Sequence, residues 1–186
     1  MFNISPLLRG RRVLILSAAL LPLASWAAWP ERPIRMVVPY SAGGGADNTA
    51  RIVAQRMGEI LGQTVVVENK PGAATIIGAT QIVRSPADGY TVGTADSGTL
   101  AFNPAMYRSL SYDAQKDFSF IGGLGRMPLV LAVHPDFPAK NMREFLAHVR
   151  SHPGEVTSGS SGPGSPLHVA LELFKQRTGS KLLHVP

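Results

Sequence analysis

Two short stretches of the chain carry residue types able to grip a ligand. In the first, "VVPYSAGGGADNTARIVAQRM" at residues 37–57, an apolar run breaks into Gly43, Gly44 and Gly45 and resumes at once as a helical pattern. The order strand, glycines, helix gathers backbone N–H groups at a helix start, whose partial positive end attracts anions. Residues without a Cβ let a ligand approach the main chain directly. The same loop also reads as a tight strand-to-helix turn with Asp47 as an ordinary N-cap, and on its own the pattern leaves both readings open. Nucleotide loops are excluded. A P-loop needs Gly-Lys followed by Ser or Thr, whereas Ala46 follows Gly45, and the third glycine of the dinucleotide fingerprint is missing at the required spacing. No phosphate cofactor, and no cofactor of any other kind, is expected.

The second stretch is "TSGSSGPGSPLHVALELF", again strand, glycine and serine, then helix. Ser160, Ser161, Gly162, Gly164 and Ser165 offer hydroxyls and amides to an anion. Two such helix starts facing one cleft suit a molecule with two negatively charged ends. Neither loop brings a Lys or Arg, so backbone dipoles and water would do the holding. His168, three residues past the Ser165 cap, either touches ligand or packs against its loop. Loop packing is favoured, because a charged imidazole is disfavoured at a helix N-terminus. Asp96, Ser97 and Thr99 follow a strand, at the carboxyl end where open α/β sheets place ligands.

Other chemistries fit less well. His148 and His152 are four apart but no Glu follows His148 and Pro153 ends the helix, so no metal site is expected. With no cysteine in the chain, disulfides, thiolate metal sites and a Cys nucleophile are excluded together. An exported serine hydrolase using Ser161 or Ser165 with His168 is the rival reading. It lacks a G-x-S-x-G elbow, and a serine three residues before a histidine on one helix start does not present nucleophile and base in the usual way. No catalytic residue is assigned.

The elements that position these loops follow from periodicity. Residues 34–40 read as a buried strand, 47–61 as a helix stopped by Gly62, 64–69 as a strand, 73–85 as a helix, 90–96 as a strand and 103–110 as a short helix. That alternation with short connections predicts an α/β fold, a mainly parallel sheet with helices on both faces. Gly122, Gly123 and Gly125 with Pro128 mark a crossing between lobes. Beyond it the pattern restarts: strand 128–133, helix 141–150, strand 154–161, helix 165–178 capped by Ser165 and Pro166 and stopped by Gly179, and strand 181–186. The expected organisation is a first lobe over 28–125 and an incomplete second lobe over 126–186. A last strand with no closing helix reads as the N-terminal part of a longer protein.

Residues 1–27 are expected to be a secretory signal. Arg9, Arg11 and Arg12 precede an apolar run, and Ser25 and Ala27 suit a cut before Ala28. The Arg11-Arg12 pair also permits twin-arginine export. The run is too short and wrongly flanked for a permanent membrane helix. Three of the charges behind the formal net charge of +6 lie in this segment, and no basic run interleaved with aromatics remains, so nucleic acid is not expected as a partner. At 45% apolar residues, the remainder can build a core without disulfides. It should be soluble beyond the cytoplasmic membrane, and a monomer is expected.

Five segments in order, "WPERPIRMVVPYSAGGGADNTARIVAQRMGEILGQTVVVENKPGAATIIGA", "SPADGYTVG", "NPAMYRSLSYDAQKDF", "PLVLAVHPDFPAKNMREFLAHVR" and "GPGSPLHVALELF", together with "LLHVP", resemble the Bug proteins, extracytoplasmic solute receptors of tripartite tricarboxylate transporters. The resemblance covers essentially all of residues 29–186. It implies a two-lobed, type II-like periplasmic binding protein fold that closes on a small carboxylated organic solute, with ordered water bridging ligand to loop. It implies a periplasmic location in a Gram-negative bacterium and membrane transporter subunits as partners. Carried over by position, the contacts are Tyr40, Ser41, Ala42, Gly44 and Asp47 in the first lobe, beside Gly43, and Ser161, Gly162, Gly164, Ser165 and His168 in the second. Ser97 and Thr99 join them from the strand-end reading. The sequence departs from the family in having Leu100 where histidine is usual, and the family's chain continues past "HVP". An inactive fragment is the third alternative.

Overall fold

The computed structural model describes residues 29–186, so the expected signal lies outside the described residues. Residues 32–186 pack as one compact unit. No helix among the described residues is long and apolar enough to cross a membrane.

The organising element is β1, Ile34–Val38, in which only Arg35 escapes burial. A strand buried on both faces belongs in the middle of a parallel sheet. It lies between β2, Val65–Asn69, and β3, Thr91–Gly93, both parallel to it. The register runs from Ile34 opposite Val65 to Val38 opposite Asn69 on one side, and pairs Val37 with Gly93 on the other. Helix α1, Gly45–Leu61, lays Ala50 and Ala54 on Met36 and Val38. Helix α2, Ile76–Val83, covers the opposite face, where Ile82 sits so close over Gly93 that a side chain there has no room. Both carboxyl ends that matter, after β1 and after β3, therefore open on one edge of the sheet.

A second set of elements follows. Helix α4, Met142–Ser151, is capped by Asn141, whose Oδ1 accepts the Glu144 N–H at 3.0 Å while its Nδ2 donates to Glu144 Oε1 at 2.7 Å. Strands β4, Thr157–Gly159, and β5, Leu183–Val185, pair in parallel. Helix α5, Pro166–Thr178, has Ser165 as N-cap and ends at Gly179 with φ +66°, as the capping signals predict. Phe145, Val149, Leu171 and Leu182 bury one apolar cluster among these elements.

Four expectations are corrected. The N-cap of α1 is Gly44, not Asp47, which stands within the first turn and reaches back. The helix expected from residue 73 begins at Ile76, because Ala73, Ala74 and Thr75 all hold positive φ, +45°, +52° and +75°. The short helix expected over 103–110 is a wide turn, Gly98–Phe102, followed by α3, Asn103–Met106; Tyr107 is extended, which carries the chain on so that Leu110 and Tyr112 pack on Ala79. Residues 128–133 form no strand. Their backbone groups find no neighbouring edge among the described residues, and an extended segment without a ladder is not held as a strand.

Candidate functional site

The first glycine loop is shaped by one buried carboxylate. Asp47 is only 2% exposed, and it accepts the Gly43 N–H at 2.8 Å, Arg51 Nε at 2.9 Å and Asn69 Nδ2 at 2.9 Å. The Arg51 hydrogen bond above all, then the Gly43 amide and Asn69, pulls its pKa down to about 2. Asn69 also donates to the Tyr40 carbonyl at 3.0 Å, tying the loop to the end of β2. Asp47 thus organises the turn, and its charge is met by a cation on its own helix. What the loop presents outward is backbone: Ser41, Ala42, Gly43 and Gly44 are exposed, and the N–H groups of Gly44, Gly45 and Ala46 have no intrahelical acceptor. Tyr40 closes the loop's base by donating its O–H to Asp96 Oδ2 at 2.6 Å. Burial, then that carboxylate, push the phenol upward, so it stays a donor.

Behind the loop lies a buried polar network. Thr75 and Thr99 hydroxyls meet at 2.8 Å, and the Thr99 carbonyl accepts the Tyr112 O–H at 2.7 Å. Burial raises the Tyr112 pKa. Asn103 Nδ2 donates to the Ala74 carbonyl at 2.7 Å and to Tyr112 Oη at 3.2 Å, while its Oδ1 is buried without a partner among the described residues. Thr99 is therefore a strut holding the left-handed 73–75 turn, and its N–H caps onto Asp96 at 3.2 Å. Ser97 is exposed at the same strand end.

The second loop meets this region from the other side. A Cβ placed on Gly164 would stand 3.1 Å from Ala74 Cβ and 3.2 Å from Met106 Cε; one on Gly98 would stand 3.3 Å from Pro166 Cδ and 3.6 Å from Tyr40 Oη. The start of α5 and the Tyr40–Asp96 contact thus share a seam. The amides expected to be free here are largely engaged, however. Gly162 N–H donates to Ser160 Oγ at 3.1 Å, Gly164 N–H to His168 Nδ1 at 3.1 Å, Ser165 N–H to the Gly162 carbonyl at 3.2 Å, and His168 N–H to Ser165 Oγ at 3.2 Å. Exposed Ser161 and the N–H of Leu167 are what remain. An anion accordingly fits the first loop better than the second.

Sequence reasoning missed three participants. Residues 73–75 gave no signal, since alanines at positive φ are imposed by distant partners. Asn103 looked like an ordinary helix residue. Met127, whose sulfur would lie 3.5 Å from a Cβ on Gly45, sits in a segment expected to be strand-flanking loop. Among the described residues no group of three His, Asp or Glu is placed to hold a metal, and His148 and His152 stack on each other at 4.3 Å.

Compared with known proteins, residues 49–186 match the family model described as tripartite tricarboxylate transporter family receptor. The chain belongs to that receptor family. BugT of Bordetella pertussis is 34% identical over 185 residues, covering 99% of this chain and 57% of BugT. A UPF0065 protein of the same organism is 36% identical over 175 residues, 92% of this chain and 54% of the relative. Among solved structures, Rpa4515 of R. palustris with adipate superposes with a TM-score of 0.82 at 36% identity, covering 85% of this chain and 53% of that one. MatC of Rhodopseudomonas palustris with bound malate gives 0.78 at 31%, covering 85% and 54%. The chain spans about half the length of the relatives it matches. Tripartite tricarboxylate receptors bind solutes and are not enzymes. The hydrolase reading fails on geometry as well: His168 Nδ1 is engaged by an amide and its Nε2 faces Glu172 at 3.8 Å, so neither nitrogen addresses a serine hydroxyl.

Proposed function

We propose that this protein is an exported receptor that captures a small organic carboxylate in the periplasm and presents it to the membrane subunits of a tripartite tricarboxylate-type transporter. One carboxylate is received by the N–H groups of Gly44, Gly45 and Ala46 at the positive end of α1, with Tyr40 and Ser41 beside them. Ser161 and the Leu167 N–H at the start of α5 meet the other end, through water where reach is short. The observation that carries this reading is the first loop itself: three amides at a helix start without an intrahelical acceptor, in a loop held by a carboxylate that is already neutralised by Arg51. The adipate and malate bound by its structural relatives support the chemical class. Ligand favours the closed arrangement because only there do both loops contribute contacts, and only such differential affinity shifts an equilibrium.

Calorimetric titration of the chain with malate and with adipate is expected to give saturable one-to-one binding to at least one of them. Gly43, at φ +85°, needs its missing side chain for conformation, although nothing lies within 4 Å of a Cβ placed there. Gly43→Val should therefore re-aim the three amides and weaken binding at least tenfold, while the chain still folds. Equal affinity of wild type and variant would remove the loop from the site.

A further inference from the structure

The second loop is held from behind by two imidazoles. His168, in the first turn of α5, and His184, on β5, stack with ring centroids 4.2 Å apart and planes 21° from parallel. Each ring secures a different part of the loop. His184 Nε2 lies 2.7 Å from Ser160 Oγ, which in turn accepts the Gly162 N–H. His168 Nδ1 accepts the Gly164 N–H. Gly162 and Gly164 hold φ +104° and +78°, so the loop's shape relies on those bonds and on residues without side chains.

The Gly164 bond fixes a tautomer. A backbone N–H only donates, so Nδ1 of His168 must carry the lone pair and Nε2 the hydrogen. A proton added to Nδ1 sets donor against donor, and the bond is lost. The same proton places positive charge at the positive end of α5 and in contact with the second imidazole. Among the described residues, the charged groups facing the pair are Glu172 and Lys175. On α5, Glu172 Oε1 is 3.8 Å from His168 Nε2, but Lys175 Nζ holds that oxygen at 2.8 Å. Lys175 is the main reason the Glu172 carboxyl is held below its ordinary range. From β5 the only such group is His184, and across the adjoining groove Met106 on α3 carries no charge.

We propose that His168 and His184 are positioning residues, and that residues 160–165 keep their ligand-receiving shape only while Nδ1 of His168 is unprotonated. Acidification would then loosen the loop and speed ligand release; that consequence rests on the receptor reading, whereas the loop's own response does not.

The test follows the Gly164 amide of the full chain by NMR hydrogen exchange at pH 8 and pH 5, with the imidazole nitrogens read in parallel and malate and adipate titrated at the same pH values. Where the imidazole nitrogens report a protonated His168, the Gly164 protection factor is expected to be at least tenfold lower than where they report it neutral, while that of Val149 in α4 stays constant. In His168→Asn the side-chain oxygen stands where Nδ1 stood and does not titrate, so protection should persist and lose its pH dependence. In His184→Gln the bond to Ser160 is kept and the response should shrink. Equal Gly164 protection with His168 neutral and with His168 protonated, or an equal pH response in His168→Asn, overturns the proposal. A loop that responds in a chain that binds neither dicarboxylate upholds the positioning role and sinks the receptor reading. Binding without any loop response does the reverse.

Discussion

Gly43 and Gly44 are neighbours that make opposite demands on a side chain. Gly44 sits at φ −78° and ψ 170°, where any residue is comfortable, and a Cβ there would rest at ordinary contact, 3.7 Å from the Ser41 carbonyl oxygen. Gly43 is left-handed because Asp47 captures its N–H and folds the chain back over the start of α1. The carboxylate is therefore the residue on which the loop depends, and its depressed pKa gives a sign that can be checked. A carboxyl whose pKa falls on folding stabilises the fold above its unfolded value and loses that contribution as pH drops through the folded one. For Asp47 the window runs from its ordinary 3.8 down to about 2. Denaturant midpoints of the wild type should fall more steeply across that window than those of Asp47→Asn, which keeps one acceptor for Gly43 but carries no proton-linked charge. Parallel pH profiles for the two would mean that Arg51 and Gly43 do not hold the carboxylate in solution.

At the level of elements, legibility followed the range of the forces involved. Helix α5 could be read to its ends, because Ser165, Pro166 and Gly179 act on their own backbone within one turn. The parallel sheet was legible too, since β1 is apolar except for Arg35 and strands and helices alternate. The 73–75 turn was not, because its conformation is imposed from 29 residues away, where Asn103 Nδ2 donates to the Ala74 carbonyl. Nothing in "GAAT" announces that partner. The free amides of the second loop were misjudged for a similar reason: His168 and Ser160 engage them, and only the folded chain brings acceptor to donor. Ala74 at φ +52° should carry strain that glycine would not. Ala74→Gly is accordingly expected to raise unfolding free energy by about 1 kcal/mol, read from the denaturant midpoint at unchanged slope. A loss of stability instead would show that the alanine methyl packs usefully against the α5 start.

Among the described residues, apolar surface is buried very unevenly. Three clusters there bury their side chains: one around α1 and β1, one around α2 and Tyr112, and one around α4 and α5. Between the second and third runs a segment whose apolar residues face solvent, Ile121 at 87% exposure and Val130 at 82% among them. The pattern "PLVLAV" reads as a strand, yet apolarity states a preference for burial and supplies no partner edge. If stability resides in the clusters, the two kinds of site must respond differently to substitution. Val130→Lys, at a residue making no buried contact, should move unfolding free energy by no more than about 0.5 kcal/mol. Phe145→Ala, removing a 5% exposed ring from among Phe137, Val149, Leu171 and Phe174, should cost about 3–5 kcal/mol. Both are measured by denaturant unfolding followed by circular dichroism. A loss well above 1 kcal/mol in Val130→Lys would mean that this segment is packed in solution, and the division between buried clusters and exposed strip would have to be redrawn.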